Sequence, residues 1–237
     1  MKEIIEKVKE LRKSNIGKAI LFFGFYFIFF FIISLIARFG GRSYTPAEEY
    51  EKSEAFTLSY GKLLNKNYHF NYSIYLDDSV YSYVGDSYED SSLFKYNDKE
   101  YFKIEDNYFV NDTIWIKSDN PIKFNSFLEI DNIVSIINSS YFDSQTSYNS
   151  GKTLYNYLVS SNSLNKLLDN KDTDYSEEPN KIVISEDENK NIDKITYYLD
   201  SYCSLNKVCN KSLKIEALYD NYGKVSKIDN PIDSLED

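Results

Sequence analysis

Histidine occurs once in this chain, at His69, and cysteine twice, at Cys203 and Cys209. A zinc site needs two ligands beyond the cysteine pair, and a single distant histidine does not supply them. There is no G-x-S-x-G, no H-E-x-x-H and no glycine-rich phosphate loop, so the residues that usually announce nucleophilic, metallohydrolase or nucleotide chemistry are missing. The sequence therefore names no catalytic residue, no metal ligand and no cofactor, and reads as that of a non-enzyme. Glycine (8) and proline (4) are also scarce, which excludes collagen-like and low-complexity classes. Positive charge falls short as well: 27 basic residues against 37 acidic give a net charge of −10, which argues against nucleic acid as a partner.

What the chain does hold is aromatic and apolar surface. Tyrosine (23) and phenylalanine (16) are abundant and hydrophobic residues make up 42%, enough for a core rich in strands. Residues 19–37, AILFFGFYFIFFFIISLIA, carry no charge. As a helix they would extend about 28 Å, close to the thickness of a bilayer's hydrocarbon. A cleaved signal peptide has a shorter apolar region followed by small residues, whereas here RFGGR follows. The expectation is an uncleaved transmembrane signal-anchor. Residues 1–18 hold six Lys/Arg against three Glu, while Glu48, Glu49, Glu51 and Glu54 follow on the other side. The positive-inside rule then makes 1–18 a short cytoplasmic segment. It makes 38–44 a joint, 45–232 an extracytoplasmic domain and 233–237 a tail, in a single-pass cell-membrane protein.

That placement bears on the cysteines. An exported domain tolerates disulfides, and Cys203 and Cys209 lie between two alternating runs. Ile195, Tyr197 and Leu199 mark the first, and Leu213, Ile215, Ala217 and Tyr219 the second. The pattern predicts two antiparallel strands joined by a long hairpin loop, with a Cys203–Cys209 disulfide across its base. A C-x5-C spacing in a loop lacks the C-x-x-C form of a redox pair.

The rest of 45–232 predicts an α+β domain. Thr45 with Glu48 reads as a capping box with Pro46 at the first helical position, opening a helix over 45–66. From residue 67 the period changes to two. Tyr68, Phe70, Tyr72, Ile74 and Leu76 share one face, with Tyr75 the exception on the other, and five more short strands follow to residue 118 in a meander. Residues 124–140 return to helical period, with Ser126/Glu129 as a second capping box and Phe127, Ile130, Val134 and Ile137 as the stripe. Two strands, a short helix at 161–169, a polar stretch at 170–180 and four closing strands complete the chain, the last being GKVSKID. Asp77/Asp78, Glu89/Asp90, Glu105/Asp106 and Glu177/Glu178 fall in predicted turns or loops and read as solvated turn residues. DENKNID (187–193) lacks the glycine and glutamate of an EF-hand loop. His69 reads as ordinary surface.

The order of elements, and in particular KIVISEDENKNIDKITYYLD and the closing LYDNYGKVSKIDNP, resembles the LolA/LppX-type half-barrel of envelope lipoproteins and lipoprotein carriers. That resemblance implies a curved antiparallel sheet plugged by about three helices, with a cavity for acyl chains between them, and it transfers no site residues. Together these features lead to a single N-terminal transmembrane helix followed by a curved antiparallel half-barrel. The first functional reading is a membrane-tethered domain binding a lipid or other apolar ligand at the cell envelope, with membrane lipid as its partner. The second is a non-enzymatic structural or interaction subunit of an envelope complex, with a protein partner.

Overall fold

The computed structural model describes Tyr26, Thr45–Pro46, residues 60–169 and residues 178–232. The chain divides into two compact units, Met1–Tyr44 and Thr45–Asp237, and the elements below belong to the second. The expected segments at 1–18, 38–44 and 233–237 lie outside the described residues, as do 47–59 and 170–177.

The second unit is an α+β fold built on one twelve-stranded antiparallel sheet. The strands are β1 (Thr45–Pro46), β2 (Asn67–Leu76), β3 (Ser79–Tyr88), β4 (Ser91–Tyr96), β5 (Lys99–Ile104), β6 (Asn107–Asp112) and β7 (Ile114–Ser118). They continue with β8 (Tyr141–Ser147), β9 (Thr153–Val159), β10 (Asn180–Glu186), β11 (Ile192–Tyr198) and β12 (Leu213–Asp220). Their order across the sheet is β1-β8-β9-β10-β11-β12-β2-β3-β4-β5-β6-β7. Two meanders thus meet where β12 pairs with β2, from Leu213 opposite Leu76 to Asp220 opposite His69. Three α-helices, α1 (Ile130–Asn138), α2 (Ser161–Leu168) and α3 (Asp200–Asn206), and a 3-10 turn at Asn125–Phe127 accompany the sheet. Residues 60–64 are also helical.

The alternation read in the sequence decides which face is buried. Tyr68, Phe70, Tyr72 and Ile74 of β2 are buried, as are Leu213, Ile215, Ala217 and Tyr219 of β12 and Ile195 and Tyr197 of β11. Side chains two apart on a strand share a face, so these residues form one continuous core. The stripe of α1 (Ile130, Ile133, Ile136 and Ile137) joins it. Tyr75, the exception to the β2 pattern, lies 4.1 Å beneath the Lys214 ammonium. Gly85 sits opposite both Phe70 and Phe94, and an added Cβ there would fall 2.2 Å from the Leu93 carbonyl oxygen. The empty position lets the Phe70 and Phe94 rings approach to 6.2 Å across it.

With so little glycine, the hairpins turn on other residues. Asp77, Glu89, Asn97, Asp98 and Glu105 all take positive φ in two-residue turns that join β2 through β6. Asn97 and Asp98 are both left-handed, as a type I′ turn requires.

Buried polar groups bind the helices to the sheet. Asn180, 2% exposed, donates through Nδ2 to the Val159 carbonyl (3.3 Å) and to Ser161 Oγ (3.0 Å). Its Oδ1 accepts from the Tyr202 amide at 2.9 Å. One side chain thereby ties β9 and β10 to α2 and α3. Asn206 of α3 donates to Asn165 Oδ1 of α2 at 2.9 Å.

Several expectations are corrected. Among the described residues no helix is long and apolar enough to cross a membrane. The longest, α1, has nine residues, about 14 Å of rise, half of what a bilayer needs. The transmembrane signal-anchor, and the single-pass topology with cytoplasmic N-terminus and extracytoplasmic domain that was read from it, are therefore withdrawn. Residues 19–37, on which that expectation was placed, lie outside the described residues except for Tyr26. Thr45 and Pro46 do not open a helix but form a strand on β8 at the sheet edge, where proline's missing N–H is tolerated. Glu129, not Ser126, is the N-cap of α1. The long loop between β11 and β12 contains α3. GKVSKID is not a strand, because β2 and β12 already occupy each other's edges. Asn67 instead holds Val225 by two bonds, Nδ2 to the Val225 carbonyl (3.2 Å) and Val225 N–H to Oδ1 (3.0 Å).

Two outcomes are expected. Asn180→Ala would leave the Tyr202 amide and Ser161 hydroxyl without this partner, and should lower unfolding free energy by about 2–4 kcal/mol in urea titration. Burial pushes the Tyr68 hydroxyl up to about 12 and those of Tyr72 and Tyr219 up as well. The neutral phenol is thus favoured by the fold. Its contribution is complete below the ordinary value of 10.0 and is lost as pH rises from there through the folded values. Near-ultraviolet circular dichroism should show alkaline unfolding that starts above pH 10.0, with a later onset in Tyr68→Phe.

Candidate functional site

Alternate turns of a meander lie at the same end of the sheet. The β3–β4 turn (Glu89, Asp90) and the β5–β6 turn (Glu105, Asp106) therefore come together, and the Glu105 amide donates to the Asp90 carbonyl at 2.9 Å. Beside them, the 3-10 turn and the first turn of α1 stand over the β2–β6 part of the sheet. Between these parts is a cleft of about 430 Å³.

Its floor is aromatic and aliphatic: Tyr68, Phe70 and Tyr72 from β2, Phe94 from β4, Tyr108 from β6, and Ile122, Leu128 and Ile130 from the helical side. The floor is tightly packed, with Tyr108 only 6% and Ile130 8% exposed. Phe70 and Tyr72 stack at 4.4 Å. Ser92 donates to Ser87 at 3.3 Å on the wall.

The rim has the opposite character. Glu89, Asp90, Glu105, Asp106, Glu129 and Asp131 all border the opening, against Lys66 and Lys103. All six carboxylates are on exposed residues. Lys66 pairs with Asp90 at 3.1 Å, and the Lys103 ammonium lies 5.5 Å from the centre of the Tyr108 ring. Glu129 accepts from Asn125 at 2.6 Å and from Asn132 at 3.1 Å. Burial first, and then the Glu129 and Asp106 carboxylates, push the Tyr108 hydroxyl up to about 12.

The two acidic doublets read as solvated turns are thus brought together by the topology. The third, Asp77/Asp78, lies at the other end of the sheet with a structural task. Asp77 accepts from the amides of Asn210 (3.0 Å), Lys211 (2.7 Å) and Ser212 (3.3 Å), and Asp78 pairs with Lys211 at 2.7 Å. Glu177 lies outside the described residues. Residues 187–193 close on themselves, with Asp187 accepting from the Asn189 and Asn191 amides, each at 2.8 Å. His69 lies 2.8 Å from Asp86, across the β2–β3 pair. Glu186, a fully buried carboxylate that the strand pattern did not single out, accepts from Tyr155 at 3.3 Å. Among the described residues no group of three or more His, Cys, Asp or Glu could hold a metal ion.

Cys203 and Cys209 form a disulfide with a Cα–Cα distance of 5.4 Å. The bridge starts inside α3 and ends beyond its C-cap, Lys207, which is left-handed at φ 55°. It fastens a helix end rather than a bare hairpin loop. The next residues are those held by Asp77, so bridge and carboxylate together fix the approach to β12.

The structure does not bear out a membrane-tethered, lipid-binding domain. No described helix offers a tether, the apolar side chains of the sheet are largely buried, and the cleft over β2–β6 is ringed by carboxylates. An anionic headgroup would meet like charge there, and an acyl chain little exposed apolar wall.

No protein-family model matches the chain, and no curated protein does. Among solved structures the chain is similar to LprF from Mycobacterium bovis, at 6% identity and a TM-score of 0.39, over 73% of this chain and 97% of that one. It is also similar to a DUF1329 family protein from Desulfovibrio piger, at 9% identity and a TM-score of 0.25, over 74% of this chain and 96% of that one. Both likenesses are distant and partial. The likeness is one of fold alone. Nothing about ligand or partner follows from it.

The backbone amides around Asp77 hold its carboxyl below the ordinary 3.8, those of Asn210 and Lys211 most strongly. A depressed folded value means that this tie is complete above the ordinary value and is lost as pH falls through the folded one. In an NMR titration, the amide signals of Asn210, Lys211 and Ser212 should move together with Asp77 below pH 3.8. Asp77→Asn should displace them already at neutral pH.

Proposed function

We propose that this chain is a non-enzymatic interaction subunit of an envelope assembly, and that it engages its protein partner through the cleft between the β2–β6 sheet and α1. The observation that carries this reading is the contrast between a packed apolar floor and a ring of exposed charge around one opening. Such a recess can seat a partner's side chain and set its orientation. The described residues support a binding role over a chemical one. The buried hydrogen bonds join elements of the fold, and the histidine is engaged by Asp86. The disulfide supports an oxidising compartment.

The test uses the full-length tagged protein in its native cells. In detergent-free and detergent extracts, size-exclusion chromatography should place the wild type in a complex heavier than the monomer. Glu105→Lys with Asp106→Lys should return it to monomer size while its melting curve stays within a degree or so, as surface changes usually allow. Co-migration of the variant with wild type would overturn the reading.

A further inference from the structure

We propose that the cleft takes a cationic anchor, a lysine or arginine side chain on a peptide segment of the partner. This rests on the reading of the cleft as a partner site and names the chemistry it selects. Three observations carry it.

Charge comes first. Six carboxylates against two lysines surround one opening, and such an imbalance both steers a cation inward and repels anionic competitors. The second is that the chain's own lysines already make the contacts that the site can offer. Lys66 bonds a rim carboxylate at 3.1 Å, and Lys103 stands 5.5 Å over the face of Tyr108. A partner's cation would find rim carboxylates of the same kind, which hold a guanidinium or ammonium by charge-assisted hydrogen bonds. The third is shape. The recess of about 430 Å³ has a floor whose aromatic and aliphatic groups are nearly covered beneath a charged rim, so it suits the stem of lysine or arginine, apolar along its length and charged at its end. A bulky apolar ligand would need exposed wall that the cleft lacks.

Fluorescence anisotropy on the full-length protein tests this with three labelled peptides of equal length: alternating lysine–leucine, serine–leucine and glutamate–leucine. The lysine peptide should bind, with the other two at least about tenfold weaker, and raising salt from about 0.05 M to about 0.5 M should weaken it by a similar factor. Asp106→Lys with Asp131→Lys should cost at least about tenfold in affinity. Asp119→Lys with Glu188→Lys, exposed positions away from the rim, changes net charge equally and should leave binding within about twofold. Equal losses in the two double variants would mean diffuse attraction to an acidic protein and would overturn the proposal. So would absence of lysine-peptide binding, or equal binding of the glutamate peptide. If the lysine peptide fails while Glu105→Lys with Asp106→Lys still releases the chain from its native assembly, the partner site stands and only its cationic selectivity falls. If the rim variant leaves the assembly intact, the partner site itself is wrong.

Discussion

The pairing of β2 with β12 is the constraint on which the rest of the fold depends. These strands are more than a hundred residues apart in the chain, yet eight residues of each stand in register. Without that seam there would be two separate meanders, each with one apolar face and no common core. With it, Tyr68 and Tyr72 of one meander pack against Tyr219 of the other, at ring separations of 5.2 and 6.0 Å. A one-residue slip would turn every one of these aromatic side chains to the opposite face. The seam is held at both ends by side chains outside the ladder. Asp77 grips residues 210–212 at one end, and Asn67 grips Val225 at the other.

Register at the seam also determines where the cleft lies. Once β2 is fixed, each successive hairpin alternates ends, and the turns at 89–90 and 105–106 must meet. The helices α1, α2 and α3 pack in sequence on one another, with α3 against β10 and β12, so their cover is concentrated on the second meander. Among the described residues, the 3-10 turn and the start of α1 border the cleft over the first meander. The acidic rim of the recess is a consequence of which turns the meander stacks beside it.

These origins explain what was legible in the sequence. The period-two runs of β2, β11 and β12 showed their buried faces directly, because alternation in an antiparallel sheet is a local property. The stripe of α1 was legible for the same reason, although Val134, expected within it, is only half-buried. Thr45–Pro46 misled because proline is equally at ease at a helix start and on a sheet edge, two places where its N–H is not needed. α3 was hidden in SYCSLN, a segment too short for its period to stand out from a loop. GKVSKID alternates like a strand, but the edge of β12 that it follows is already taken by β2, which only the sheet order reveals. An apolar run such as 19–37 indicates only what its own residues could do as a helix. It carries no information about how residues 45–232 fold.

The site was legible only in pieces. Each acidic doublet looks like a solvated turn, and taken singly each is one. Their joint effect needs three-dimensional proximity, since charges separated by more than about 10 Å are screened in ordinary salt, while those around one opening add. Asp77 shows the converse. It belongs to the same residue class and the same kind of turn, yet at the opposite end of the sheet its charge is consumed by three backbone amides. Residue type thus does not separate the two roles; what lies beside the turn in the fold does. Asp77 faces the cysteine-bridged connection and is drawn into the fold, whereas Glu89, Asp90, Glu105 and Asp106 border the cleft with their residues exposed, Asp90 in a pair with Lys66.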